Sequence, residues 1–218
     1  MTDSIAPLLA ELEKNSVILI AVSKKQPIEK IKNLYNQGVK NFGENYLQEA
    51  LGKINNLKDL NIIWHFIGPI QSNKTAEIAK NFDWIHSVDK FKIAQRLSNQ
   101  RPVELAPLSV LIQVNIDREE SKSGVMPEDL LDLVKQCEKL PNIYLKGLMC
   151  IPAPRELNNL DQQGEPFRKL RELLDFLKQQ NCLIGDDLSM GMSADFRAAI
   201  LEGASLVRLG TLLFGARG

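Results

Sequence analysis

The sequence predicts a single (β/α)8 TIM barrel spanning all 218 residues. Eight short apolar runs recur along the chain, each followed by a longer amphipathic stretch. Several runs are apolar on both faces and rich in valine and isoleucine, the mark of parallel strands covered by helices. No GxGxxG follows the first run, and eight units in unbroken series exceed what an open doubly wound sheet needs.

The strands are expected at 16–24, 39–45, 62–68, 83–88, 108–116, 143–151, 187–191 and 205–210. An extra helix precedes the first, because residues 1–15 set apolar and charged positions at helical spacing. Pro27 opens the helix after strand one and Gly38 closes it, the usual asymmetry of proline early and glycine late. Helices follow at 72–80, 90–99, 127–139 and 162–180. Ser193 reads as the N-cap of ADFRAAILEG, with Gly203 ending that helix. The polar, proline-containing stretch 152–164 is the longest loop expected, and it is assigned to the barrel mouth.

Lysine and arginine total 27, as do aspartate and glutamate, so the net charge is zero. That balance gives no nucleic-acid footprint and no electrostatic membrane anchor. No run approaches the roughly 18 apolar residues of a membrane span, and residues 1–15 lack the form of a signal peptide. Cys137, Cys150 and Cys182 are odd in number, widely spaced and far in sequence from His65 and His86. Free thiols in a reducing cytoplasm are therefore expected, rather than a disulfide framework or a metal centre.

Active groups of a barrel gather at the C-terminal ends of its strands. Lys24 ends strand one, on the same face as Ile18, Ile20 and Val22. If that face points inward, an apolar column leads to one amine, whose pKa desolvation lowers toward a neutral nucleophile able to form a Schiff base. Taken alone, Lys24 is read more simply as a solvated strand-end lysine, like Lys25. Arg208 is bracketed by apolar residues in strand eight and is costly there unless paired or bound to something. Gly210 and Thr211 open a short helix after it, while Gly191 and Ser193 stand at the helix start after strand seven. Two such starts on adjacent strands suit one phosphate. A lysine, a phosphate cradle and an arginine so placed fit pyridoxal 5′-phosphate, with Arg208 facing the pyridine nitrogen and keeping it unprotonated.

The segments AVSKKQP (21–27), FGENYLQE (42–49), WHFIGPIQSNK (64–74), VNIDREESKSGV (114–125), GLMCIP (147–152), LSMGMSADFRAAI (188–200) and VRLGTLLFG (207–215) run in order over nearly the whole chain. Together they resemble the pyridoxal phosphate homeostasis protein family, whose barrel is like the N-terminal domain of alanine racemase. The resemblance implies a cofactor bound through Lys24, phosphate contacts from Ser193, Gly210 and Thr211, and Arg208 at the ring nitrogen. Asn45 and Met190 match positions near the cofactor. The stretch AVSKKQP departs from the common AVSKTKP only beyond the linking lysine. His65 reads as a core histidine that frames the mouth, Trp64 and Trp84 as barrel packing. Lys122 and Gly124 either shape access to the cofactor or form a solvated loop.

The resemblance implies a cytoplasmic protein of vitamin B6 homeostasis that holds pyridoxal phosphate, with cofactor-requiring apoenzymes or amino acids as its further partners. Two alternatives stand beside it: an amino-acid racemase, and a regulatory protein switched by cofactor occupancy. Racemisation needs an acid or base on each face of the substrate. Tyr35, Tyr46 and Tyr144 are the only tyrosines, and none matches the racemase's second base. The racemase's dimer-forming second domain has no counterpart here, so a monomer without multiple turnover is expected.

Overall fold

In the computed structural model, eight parallel strands close into one barrel in sequence order. The structure describes residues 4–119, 122–153 and 160–215. The strands are β1 (Ile18–Val22), β2 (Asn41–Glu44), β3 (Ile63–Phe66), β4 (Trp84–Val88), β5 (Leu108–Gln113), β6 (Ile143–Met149), β7 (Asp187–Ser189) and β8 (Leu206–Leu209). The chain enters through α1 (Ala6–Lys14), the extra N-terminal helix expected from the sequence. The connecting helices are α2 (Ile28–Asn36), α3 (Leu47–Asn56), α4 (Thr75–Asn81), α5 (Phe91–Gln100), α6 (Leu130–Cys137), α7 (Leu160–Gln179) and α8 (Phe196–Leu201), and α9 (Thr211–Phe214) follows β8. Closure pairs β1 with β8, setting Ile20 beside Arg208.

The period-two alternation of the strands makes two cores. An outer core lies between barrel and helices and takes Leu19, Ala21, Phe42, Phe66, Ile85, Val110, Leu148 and Val207 together with apolar helix faces. Inside the barrel, Ile20, Leu111, Met149 and Leu206 pack against Trp84. A side chain of this size, fully buried, contributes about 1.5–3 kcal/mol. A bulge in strand β6 changes which of its residues face each core. Val110 pairs with Leu145 and Leu111 with Gly147, so Lys146 is the extra residue. One extra residue exchanges the two faces of a strand. Leu145 therefore joins the outer core and Met149 the inner one. Gly147 takes φ +150°, and a Cβ there would lie 1.8 Å from the carbonyl oxygen of Asp187.

Three local expectations are corrected. Strand seven ends at Ser189, two residues early. Lys24 is not in strand one but in the turn after Val22. Ser193 is not the cap of α8: that place belongs to Asp195, whose Oδ1 accepts the Met192 N–H at 2.6 Å. The Asp195 side chain bonds no N–H of the helix itself, but a carboxylate at a helix start is favoured by the helix dipole. Helix α7 begins at Leu160, inside the stretch expected to be loop, and residues 154–159 of that stretch lie outside the described residues.

Candidate functional site

Three polar constructions meet at the C-terminal ends of β1, β2, β7 and β8. The first holds the turn that carries Lys24. Ser23 is fully buried, and its hydroxyl donates to Glu44 Oε1 at 2.7 Å. Lys53, reaching up from α3, donates to the Ser23 carbonyl at 2.6 Å, to Glu44 Oε1 at 2.7 Å and to Glu49 Oε1 at 2.6 Å. All three N–H bonds of that ammonium are thus used. Glu49 also accepts the backbone N–H of Lys25, which sits at φ +60°. Both neighbours of Lys24 are pinned to one charged cluster, which places the half-buried Lys24 between two fixed points. Burial pushes the Glu44 carboxyl up, against the pull of Lys53 and Ser23. Glu44 Oε2 is buried without a partner.

The second construction joins the β7 and β8 ends. The Ser193 hydroxyl accepts the backbone N–H groups of Gly210 at 3.4 Å and Leu212 at 3.3 Å. These bonds are long for N–H···O, so the donors are lightly held. Ser193 and Gly210 come together as expected, but Leu212 rather than Thr211 shares the hydroxyl; Thr211 is the exposed first residue of α9. The two helix starts do not form a symmetric pair, since Asp195 places its own carboxylate at the start of α8. Gly210 lies against the end of β1: a Cβ on it would meet the Val22 Cβ at 3.5 Å.

The third construction is Arg208, 3% exposed. It donates to Ser189 Oγ at 2.6 Å and to the Cys150 carbonyl at 2.8 Å. Among the described residues no carboxylate forms an ion pair with it. Burial lowers its pKa from the usual arginine value, opposed by Cys150 and Asp195, yet a guanidinium stays charged in a protein. The barrel therefore keeps a buried cation whose partners are neutral. Ser189 is also bonded to His86, and His86 to His65.

Of the remaining expected residues, Asn45 follows β2 and its Oδ1 is buried without a partner. Gly68 sits so close that a Cβ on it would lie 2.1 Å from the Asn45 carbonyl oxygen. Met190 is fully buried in the outer core, its N–H bonded to Leu206 O, so it backs the site. Burial pushes the Cys137 and Cys150 thiols up to about 12, which removes them as nucleophiles near neutral pH. No group of metal-ligating side chains occurs among the described residues, and no described helix is long and apolar enough to cross a membrane.

The Ser23–Glu44–Glu49–Lys53 cluster was not singled out in the sequence, although the Glu49–Lys53 spacing of four is a helical ion-pair signal. The histidine pair carried a fainter signal: both histidines of the chain fall inside consecutive apolar strands.

Residues 9–218 match the family model for the alanine racemase N-terminal domain. The chain belongs to that family. Within it, this alanine racemase N-terminal domain-type barrel is similar to proteins named pyridoxal phosphate homeostasis protein. The one from Pseudomonas aeruginosa is 55% identical over 202 residues, 93% of this chain and 85% of the relative. The one from Haemophilus influenzae is 51% identical over 208 residues, 94% of this chain and 86% of the relative. PipY of Synechococcus elongatus, solved with PLP bound, matches at a TM-score of 0.86 and 39% identity, over 97% of this chain and all of PipY (100%).

Proposed function

We propose that this protein binds pyridoxal 5′-phosphate, holds it by a Schiff base to Lys24, and serves cytoplasmic vitamin B6 homeostasis without multiple turnover. The residues present fit the group. Lys24 stands on a clamped turn, the Gly210 and Leu212 N–H groups are lightly held beside Ser193, and Asn45 Oδ1 lacks a partner. When bound, the cofactor supplies an electrophilic carbon for amines and a ring that withdraws electrons according to the protonation of its nitrogen. The observation that carries the non-enzymatic reading is Arg208, a buried cation with neutral partners. A permanent donor facing the ring nitrogen disfavours its protonation and so weakens the ring as an electron sink. The naming of the relatives as homeostasis proteins and the PLP-bound PipY support the same reading. The three free, buried cysteines agree with a reducing cytoplasm. Cofactor-requiring apoenzymes are the partners that suit it.

The racemase alternative is tested by incubating the loaded protein with L-alanine and other amino acids while following chirality and α-deuterium exchange. Slow, sub-stoichiometric exchange is expected. Tyr144 is the second residue of β6 and the Tyr35 hydroxyl accepts the Asn61 N–H before β3, both at the far end of the barrel, which leaves Tyr46 at the mouth. Multiple-turnover racemisation lost in Lys24→Ala would replace the carrier reading with an enzymatic one.

Phosphate recognition is expected to rest on Ser193 and on the Gly210–Leu212 backbone. Thr211→Ala should weaken cofactor binding less than threefold, since Thr211 offers mainly its backbone there. Gly210→Val should weaken it about tenfold or more by crowding the backbone N–H groups. A Cβ there meets Val22 at an ordinary contact distance, and the far-ultraviolet spectrum of the variant checks that the fold survives the two further methyls. Pyridoxal without phosphate should bind far more weakly than the phosphate ester in equilibrium dialysis, and equal retention of the two would remove the cradle.

A further inference from the structure

The barrel interior contains a continuous hydrogen-bonded chain that the proposed cofactor contacts do not use. Asn41 Oδ1 lies 3.0 Å from His65 Nε2, His65 Nδ1 lies 2.9 Å from His86 Nε2, and His86 Nδ1 lies 2.8 Å from Ser189 Oγ. Ser189 Oγ accepts from Arg208 at 2.6 Å, where the chain ends. His65, His86 and Ser189 are fully buried or nearly so, at 1%, 0% and 0% exposure. Trp84 stacks on His65 with ring centroids 5.7 Å apart.

The two ends give the chain its direction. Arg208 only donates, and Asn41 Oδ1 only accepts. His65 must then carry its proton on Nε2 and accept at Nδ1. His86 in turn donates from Nε2 and accepts at Nδ1, so the Ser189 O–H points at His86. Both rings are neutral in this arrangement, and burial favours that state, reinforced at His86 by the facing His65 and Arg208. A hydroxyl that donates becomes a better acceptor, because successive bonds polarise one another. Ser189 thus presents a strengthened oxygen to Arg208, and with the Cys150 carbonyl it fixes the guanidinium plane at two points.

We propose that Asn41, His65, His86 and Ser189 form a positioning relay that orients the Arg208 guanidinium toward the pyridine nitrogen of the bound cofactor and so makes the site selective for a ring nitrogen. The proposal rests on the reading of Arg208 as the ring-nitrogen partner. In it the four residues act through Arg208.

Ligand selectivity separates this role from simple support of the fold. The natural cofactor is compared with its analogue bearing carbon in place of the ring nitrogen, which keeps the aldehyde and the phosphate. The unaltered protein should prefer the natural ring by about tenfold, the worth of one hydrogen bond to a charged group. Ser189→Ala and His86→Phe should bring the ratio toward one by weakening the natural ligand alone. Ser189→Thr, which keeps a hydroxyl, should retain the preference. Equal weakening of both ligands, or an unchanged ratio in Ser189→Ala, overturns the relay. Arg208→Leu tests the parent reading: if it leaves the preference intact, the ring-nitrogen assignment itself fails. The relay is also read in the unaltered, ligand-free protein by nitrogen-15 NMR of its two histidines. Nε2–H tautomers on both, neutral between pH 6 and 8, are expected, whereas an Nδ1–H tautomer or a charged ring overturns it even if the variants do not fold.

Discussion

Lys24→Ala is expected to abolish covalent retention of pyridoxal 5′-phosphate while shifting the melting temperature by no more than about 2 °C, since a half-buried turn lysine outside the core adds little to stability. Three lysines crowd this end of the barrel, and their surroundings separate them. The Lys53 ammonium is occupied by three acceptors and has no lone pair to offer. Lys25 is exposed, and its backbone is turned aside at φ +60° with its N–H bound to Glu49. Lys24 is half-buried in the turn that follows β1. Borohydride reduction of the loaded protein followed by peptide mapping should place the phosphopyridoxyl mass on Lys24. Labelling confined to Lys25, or no labelling, would end the covalent reading. Loss of the visible cofactor band in Lys24→Ala with an unchanged far-ultraviolet spectrum would separate chemistry from folding.

The second large effect is on stability against acid. Burial holds His65 down to about 3 and His86 well below its ordinary value of 6.5. Unfolding restores both to ordinary behaviour. Between pH 6.5 and about 3 the unfolded chain therefore binds protons that the folded chain refuses, so stability falls as pH falls through that window. Each histidine contributes a slope of about 1.4 kcal/mol per pH unit where the difference is complete. Glu44, Asp83 and Asp195 act with the opposite sign: burial raises all three, and the folded state holds their protons at a pH where the unfolded chain has released them. Their window runs from the ordinary carboxylate values upward, toward the histidine window, so they offset part of the histidine loss there. The histidine share is read by comparison: the urea midpoint should drop further between pH 7 and pH 5 in the unaltered protein than in His86→Phe, which lacks one of the two buried rings. An equal drop in the two proteins would show that the ring is not held neutral.

Much of this molecule is written in local pattern. The eight strands and the helices between them follow from apolar runs and amphipathic spacing, which depend only on each segment's need to bury one or both faces. The Lys24, Ser193, Gly210 and Arg208 positions follow from the rule that function gathers at the C-terminal strand ends, and from the ordered segments shared with a known family. The β6 bulge was not legible, because Lys146 exchanges the two faces of its strand without changing the composition of the run. Ser193 and Asp195 are both good caps by type, so the local sequence does not decide the start of α8. Only the approach of β8 decides that Ser193 serves Gly210 and Leu212 instead. The largest gap between sequence and structure is the interior chain. Asn41, His65, His86, Ser189 and Arg208 come from five strands, and no spacing along the chain relates them. Barrel closure brings β8 back beside β1 and turns one polar residue from each of these strands toward the same axis. Which residues form strands was determined locally by the sequence. Which buried groups find a partner was decided by closure, because a hydrogen bond across a barrel depends on the depth and facing of both strands.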